Sequence, residues 1–113
     1  KLDIAVVGIG YPNEKSAIMA TGYFKENEIE SLIDRKVAGE LCMQFYDIYG
    51  DTAPYKDDNN VIGMDISMLR SVPRSIGIAG GVEKLRAVRG AINGHYINTL
   101  ITDIECAEAL ISE

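Results

Sequence analysis

The stretch PRSIGIAGGVEK, residues 73–84, decides the fold of this chain. Its first part, Ser75 to Ala79, is small and apolar, which predicts a strand covered on both faces. Gly80 and Gly81 predict a tight turn, because glycine adopts backbone angles that other residues avoid. A helix is expected to follow from about Gly81 to Ile92.

The turn and the start of that helix form a candidate anion site. The first N–H groups of a helix have no partner within the helix and lie at the positive end of its dipole. Gly80 and Gly81 would let a ligand approach the main chain, and Lys84 adds a mobile cation, so phosphate is the expected anion. The alternative is a turn that binds nothing and a solvated lysine, since the sequence has neither GxxxxGK[ST] nor GxGxxG here.

The composition predicts one modest soluble domain. The 113 residues are 47% apolar and 25% charged, and the net charge is -6. An acidic chain with scattered basic residues is a poor nucleic-acid binder, and no apolar run is long enough for a membrane span. Cys42 and Cys106 are expected to be reduced, buried thiols in a cytoplasmic protein. We expect no metal site and no cofactor, because His95 is the only histidine.

The first strand adds a second candidate position. Leu2 to Ile9 is apolar and β-branched, which predicts an interior, parallel strand. It ends in Gly8-Ile9-Gly10, and ligands of open α/β sheets bind beside such carboxyl ends. Gly10 is therefore a candidate binding residue, although these glycines are equally consistent with a simple turn.

Strands and helices alternate along the rest of the chain. Helices are predicted for Lys25–Arg35, Ile66–Val72 and Ile104–Ser112, a strand for Ile97–Ile101, and a surface loop for 51–60. This alternation predicts an α/β fold with a mainly parallel sheet and helices on both faces.

Two patterns concern burial. The helix after the Gly-Gly turn is expected to bury Val82, Leu85, Val88 and Ile92. Glu40 lies in a mostly apolar stretch, residues 37–50, so it must be exposed, paired or functional, because an unpaired buried charge is costly. A structural salt bridge to one of the basic residues is the alternative to a functional role.

A series of short motifs carries a family resemblance. They are GIG (8–10), GYF (22–24), VAGE (37–40), FYDIYG (45–50), VIG (61–63), LRSVP (69–73), AGGVEK (79–84) and LITD (100–103). In this order they resemble the C-terminal part of the sugar-binding domain of SorC-type bacterial transcriptional regulators. The resemblance extends over almost all of the chain.

The resemblance implies a fold similar to that of glucosamine-6-phosphate deaminase and ribose-5-phosphate isomerase relatives. It implies a phosphorylated sugar as effector, with Lys84 on the phosphate and Glu40 facing the sugar. Effector binding would alter the affinity for operator DNA, which the full protein would contact through an N-terminal helix-turn-helix outside this chain. A homodimer or homotetramer is expected, and residues 1–113 would be an incomplete part of a single effector domain.

Two other functions stay open at this point. The first is a sugar-phosphate isomerase or deaminase of the same broad fold, in which Glu40 or Asp47 would act as general acid or base. The second is an oligomerisation module without a ligand. Nothing in the sequence pairs the acidic residues into an acid/base set, so we expect no enzyme.

Overall fold

The computed structural model describes residues 3–12, 26–59 and 65–112. Its strands are β1 (Ile4–Gly10), β2 (Gly39–Leu41), β3 (Gln44–Tyr46), β4 (Arg74–Ile78) and β5 (Thr99–Ile101). Its α-helices are α1 (Glu26–Asp34), α2 (Leu85–Asn93) and α3 (Ile104–Ser112). Short 3₁₀ helices cover Ala53–Tyr55, Ile66–Ser71 and Val82–Lys84.

The strands form one mixed sheet in the order β3-β2-β1-β4-β5. β1, β4 and β5 run parallel, while β2 and β3 form an antiparallel hairpin beside β1. The predicted α/β fold is confirmed, with parallel strands in the centre of the sheet. β1 is interior as predicted, although one of its two neighbours is antiparallel.

One face of the sheet carries the main core. Side chains that alternate inward on β1 and β4 pack against α2 and the 3₁₀ helix Ile66–Ser71. Two buried tyrosines fix this core through their hydroxyls: Tyr46 donates to Ala87 O at 2.7 Å and Tyr96 donates to Gly50 O at 2.5 Å. Each ring therefore buries its apolar body while its polar tip is satisfied.

The helix after the Gly-Gly turn differs from the prediction in its start and its buried face. A 3₁₀ turn at Val82–Lys84 comes first, and the α-helix begins at Leu85. Val82 and Ile92 were expected to be buried, but they are 49% and 39% exposed. Val88 is buried as predicted and Leu85 is half-buried, while the rest of the buried face is made of the small residues Ala87, Gly90 and Ala91. Small residues are needed because α2 lies very close to the sheet and the hairpin, where a Cβ on Gly90 would lie 2.6 Å from Asp47 O.

The opposite face of the sheet is open. Ile4 and Val6 of β1 are 58% and 59% exposed, and Ile78 and Ile101 on the neighbouring strands are 44% and 55% exposed. Ile78 is paired with Ile101 and with Gly8, and Gly8 lies on the same face of β1 as Ile4 and Val6, so the four side chains share one face of three adjacent strands. We call them the open face. Within the described residues, the expectation of helices on both faces is thus met on one face only.

A second, smaller core lies between α1 and the hairpin. It contains Ile29, Leu32, Val37, Phe45 and Tyr55. The predicted helix at 25–35 is confirmed as Glu26–Asp34. The predicted surface loop at 51–60 is corrected in one respect, since Tyr55 is fully buried and donates to Arg35 O at 2.8 Å.

The remaining predictions have mixed outcomes. The helix Ile104–Ser112 is confirmed, and Ile66–Ser71 is helical but 3₁₀. Cys106 is buried as expected, whereas Cys42 is exposed because it sits in the turn of the hairpin. The motifs at 22–24 and 61–63 lie outside the described residues. No helix in the described part of the chain has the length and apolar character to cross a bilayer.

Candidate functional site

The candidate site residues lie at the carboxyl edge of the three parallel strands. β1 ends at Gly10, β4 runs into Gly80 and Gly81, and β5 runs into Thr102 and Asp103. Gly8, Ile78 and Ile101 are paired across the sheet, so these three ends lie side by side. This is the edge at which open α/β sheets bind ligands.

Gly10 and Glu40 are direct partners in the sheet. They are paired in the antiparallel ladder between β1 and β2. The Glu40 carboxylate folds over Gly10 so closely that a Cβ there would overlap Glu40 Oε1. Glycine at position 10 therefore has a specific purpose, which is to leave room for a carboxylate at the end of the central strand.

The Glu40 carboxyl is partly buried and polarised. Its Oε2 accepts the Met43 N–H at 2.9 Å. Burial raises the pKa of Glu40 above its ordinary value, while the Met43 N–H and the positive charge of Lys84 act in the opposite direction. Within the described residues Glu40 forms no salt bridge, so the structure does not support the alternative of a structural ion pair.

Lys84 reaches the same place from the other side. Its Nζ donates to Ile9 O at 3.0 Å, one residue before Gly10. This bond uses one of the three donors of an ammonium group, so the group can donate to a ligand as well. Lys84 is half-buried at the end of the 3₁₀ turn, which holds the cation at the carboxyl end of β1.

The Gly80-Gly81 turn has an anionic partner of its own. Gly81 adopts φ +91°, a conformation that favours glycine. Its N–H donates to Asp103 Oδ2 at 2.7 Å, and Asp103 Oδ1 accepts the Cys106 N–H at 2.8 Å. These two bonds lower the pKa of Asp103, and the bond from Cys106 has the larger effect. The Gly81 amide expected to hold phosphate therefore binds a carboxylate.

Thr102 contributes an unsatisfied group beside Asp103. Among residues 3–12, 26–59 and 65–112, its Oγ1 is the buried side-chain oxygen without a hydrogen-bond partner. A buried hydroxyl without a partner costs about 1–3 kcal/mol. A further polar group at the end of β5 would therefore supply the partner that this hydroxyl lacks.

The structure thus brings Gly10, Glu40 and Lys84 into one cluster and places Gly80 and Gly81 at the same sheet edge. Sequence reasoning did not identify the bond between Asp103 and Gly81. An aspartate between the end of a strand and the start of a helix was the available signal. The described residues hold no cluster of three or more His, Cys, Asp or Glu suited to a metal ion.

Comparison with known proteins gives the family. Residues 1–112 match the family described as "Putative sugar-binding domain". The chain belongs to this family of sugar-binding domains. The resemblance to SorC-type regulators that the motif series predicted is confirmed.

The curated relatives of this sugar-binding domain are transcriptional regulators. It is 38% identical to the sorbitol operon regulator of Klebsiella pneumoniae over 110 residues. The aligned segment covers 97% of this chain and 35% of the relative. It is 32% identical over 111 residues to the deoxyribonucleoside regulator of Bacillus subtilis, 98% of this chain and 35% of that relative. The chain therefore spans about a third of the length of these relatives. Both relatives are named as regulators, in agreement with the expectation that the chain is no enzyme.

Solved structures show the same fold. The full-length sorbitol operon regulator SorC of Klebsiella pneumoniae matches with a TM-score of 0.84 and 36% identity, over 98% of this chain and 36% of that one. A DeoR family transcriptional regulator from Listeria monocytogenes matches with a TM-score of 0.86 and 28% identity, over 96% of this chain and 44% of that one. The sugar-binding domain thus keeps its backbone across relatives of low identity.

Proposed function

We propose that this sugar-binding domain is the effector-sensing part of a cytoplasmic transcriptional regulator, and that its effector is a phosphorylated sugar. The single observation that carries the proposal is the convergence of Lys84 and Glu40 on the end of β1. A cation and a carboxylate at one strand end can recognise the two kinds of group that a sugar phosphate offers. The ammonium suits the phosphate, and the carboxylate accepts hydrogen bonds from sugar hydroxyls.

The burial of this pair supports recognition over solvation. Glu40 Oε2 and Lys84 Nζ each have one protein partner, on Met43 and Ile9, which fixes their positions. Fixed polar groups lose little freedom when a ligand binds, and this favours affinity and specificity. The expected regulatory consequence is a change in the affinity for operator DNA, contacted through a helix-turn-helix outside this chain.

The bond between Gly81 and Asp103 limits which groups of the protein can bind the phosphate. The carboxylate of Asp103 would repel a phosphate at the Gly81 amide. We therefore assign phosphate recognition to Lys84 and not to an open glycine cradle. Gly80 remains a candidate for close approach, since a Cβ there would lie 3.6 Å from its nearest neighbour, Asp103 Oδ2.

A thermal-shift comparison of the intact regulator tests the proposal. The ligands are sorbitol 6-phosphate and deoxyribose 5-phosphate, chosen from the names of the relatives, each beside its unphosphorylated sugar. A ligand at a hundredfold excess over its dissociation constant should stabilise the protein by about 2.7 kcal/mol. We expect a phosphorylated sugar to raise the melting temperature and Lys84→Met to remove most of that rise.

Lys56 provides the matched control, because it is exposed and lies in the loop that follows the 3₁₀ helix Ala53–Tyr55. Lys56→Met should respond to the ligands as the parent does. If the unphosphorylated sugars stabilise equally well, or if Lys84→Met keeps the full response, phosphate recognition by Lys84 is wrong.

We further propose that these 113 residues form part of a larger effector domain whose other residues cover the open face. Parallel sheets are normally buried on both faces, and the relatives are about three times as long as this chain. Ile78→Asp in the intact regulator should then cost several kcal/mol, because it buries a charge. Ile33→Asp is the control, since Ile33 on α1 is also 44% exposed. Equal losses of stability in the two variants would contradict the proposal that the open face is covered. If Ile78→Asp instead dissociates oligomers, the open face is covered by a second copy of the protein and not by the same domain.

A further inference from the structure

The turn between β2 and β3 is an unusual one. Leu41 pairs with Gln44, so Cys42 and Met43 form a two-residue hairpin turn. Both have positive φ, +52° and +64°. Hairpin turns of this kind favour Asn-Gly, because other side chains are strained in the left-handed region. Cys42 and Met43 thus hold a conformation that their own side chains disfavour.

Glu40 contacts the main chain of this turn. The N–H of the second turn residue points away from the ladder in such hairpins, and here the Met43 N–H donates to Glu40 Oε2 at 2.9 Å. The same carboxylate has its other oxygen, Oε1, against Gly10 at the end of β1. One carboxylate therefore contacts the turn with one oxygen and the candidate site with the other.

We propose that the Cys42-Met43 turn reports occupancy of the site through Glu40. This inference rests on the proposed function, because it takes Glu40 as a contact of the sugar. A ligand that fixes the Glu40 carboxylate also fixes the acceptor of the Met43 N–H, so ligand binding and closure of the turn favour each other. Such a coupling is reciprocal: whatever stabilises the turn also raises affinity for the ligand.

The turn is well placed to pass the change outward. It leads directly into β3, which is an edge strand of the sheet. The main chain of Phe45 in β3 is bonded on its outer side by Asn59, whose Oδ1 accepts the Phe45 N–H at 2.7 Å. A change in the turn therefore reaches the loop that carries Asn59 without crossing the core.

Hydrogen exchange of the hairpin amides in the intact regulator tests the ligand-free half of this inference. Glu40→Ala removes the acceptor of the Met43 N–H, whereas Glu40→Gln keeps an acceptor oxygen. We expect Glu40→Ala to speed exchange of residues 41–46 by roughly fivefold relative to Glu40→Gln, as the loss of one hydrogen bond implies. In a Cys42→Asn, Met43→Gly background the turn stays closed by itself, so Glu40→Ala should change exchange little. Equal exchange in Glu40→Ala and Glu40→Gln would show that Glu40 does not hold the turn and would overturn the inference.

The ligand half uses sorbitol 6-phosphate and deoxyribose 5-phosphate with the parent turn and the Asn-Gly turn. A sugar phosphate that raises the melting temperature should slow exchange of residues 41–46 in the parent and leave the Asn-Gly variant unchanged. If it raises the melting temperature without slowing that exchange, the turn does not report occupancy of the site, and the proposed function stands. If neither compound raises the melting temperature, the proposed choice of sugar phosphate fails, and the ligand-free comparison still decides whether Glu40 holds the turn.

Discussion

The carboxylate of Asp103 binds the main chain of Gly81, with Oδ2 accepting the N–H at 2.7 Å. Asp103 is the residue before helix α3, and Gly81 belongs to the turn that follows strand β4. The contact joins two adjacent strand ends of the parallel sheet. It also places a negative charge where an anion-binding turn was expected.

Asp103→Asn should strengthen binding of a phosphorylated sugar. An asparagine can still accept the Cys106 N–H through its one side-chain oxygen and cap α3. Its NH2 group cannot accept the Gly81 N–H, so the substitution removes the repulsive charge and leaves that amide free for the phosphate. We expect roughly two- to fivefold tighter binding, the size of one screened charge contact near a surface. Titration calorimetry with sorbitol 6-phosphate or deoxyribose 5-phosphate would measure this, and weaker binding would show that Asp103 contacts the ligand favourably.

The same substitution should change the response to acid. Hydrogen bonds from the Cys106 and Gly81 amides lower the pKa of Asp103 below its ordinary value of 3.8. The native state thus favours the ionised carboxylate. Its contribution to the stability of the fold is present above pH 3.8 and is lost as the pH falls through the lowered pKa. Between pH 7 and pH 3 the parent should lose more melting temperature than Asp103→Asn. Parallel curves would contradict this assignment.

Glu40→Gln should show the opposite pH dependence. Burial raises the pKa of Glu40 above its ordinary value of 4.5. The native state therefore binds a proton more readily than the unfolded chain, so this group destabilises the fold as the pH rises through the raised pKa. We expect Glu40→Gln to be more stable than the parent at pH 7, and the difference to shrink as the pH falls below 4.5. Urea unfolding at both pH values would measure it, and a variant less stable at pH 7 would contradict the prediction.

Gly10→Ala should disturb the site, whereas Gly8→Ala should not. A Cβ on Gly10 would overlap Glu40 Oε1, and the Glu40 side chain must then swing away from Met43. Losing that hydrogen bond should cost about 1 kcal/mol and remove most of the ligand-induced stabilisation. Gly8 is in the same strand, with nothing within 4 Å of a Cβ. Thermal unfolding with and without ligand would compare the two variants, and similar behaviour would show that the fit of Glu40 over Gly10 is unimportant.

Asn59→Asp should weaken the edge of the sheet. The Asn59 amide both accepts from Phe45 N at 2.7 Å and donates to Phe45 O at 3.1 Å, so it takes the place of a neighbouring strand. A carboxylate can accept but cannot donate, which leaves Phe45 O without this donor. We expect a loss of about 1 kcal/mol in the free energy of unfolding, measured by urea denaturation. An unchanged midpoint would mean that Asn59 does not protect the edge.

The sequence by itself determined the local elements. Small apolar residues followed by two glycines predicted strand β4 and its turn, and the helix at Ile104–Ser112 was predicted at its observed bounds. These features depend on neighbours in the chain, through β-propensity, backbone freedom and capping. The family resemblance added a sugar effector and roles for Lys84 and Glu40.

Only the tertiary structure decided which distant residues meet. Glu40 contacts Gly10 because β2 pairs antiparallel with β1, and Asp103 reaches Gly81 because β5 lies next to β4. Neither pairing can be obtained from local pattern, since both join strands that are separated in sequence. The buried face of α2 was predicted only in part for the same reason: Val88 is buried as expected, but Ile92 is not. Close approach of helix and sheet selects small residues, and hydrophobicity alone does not reveal that distance.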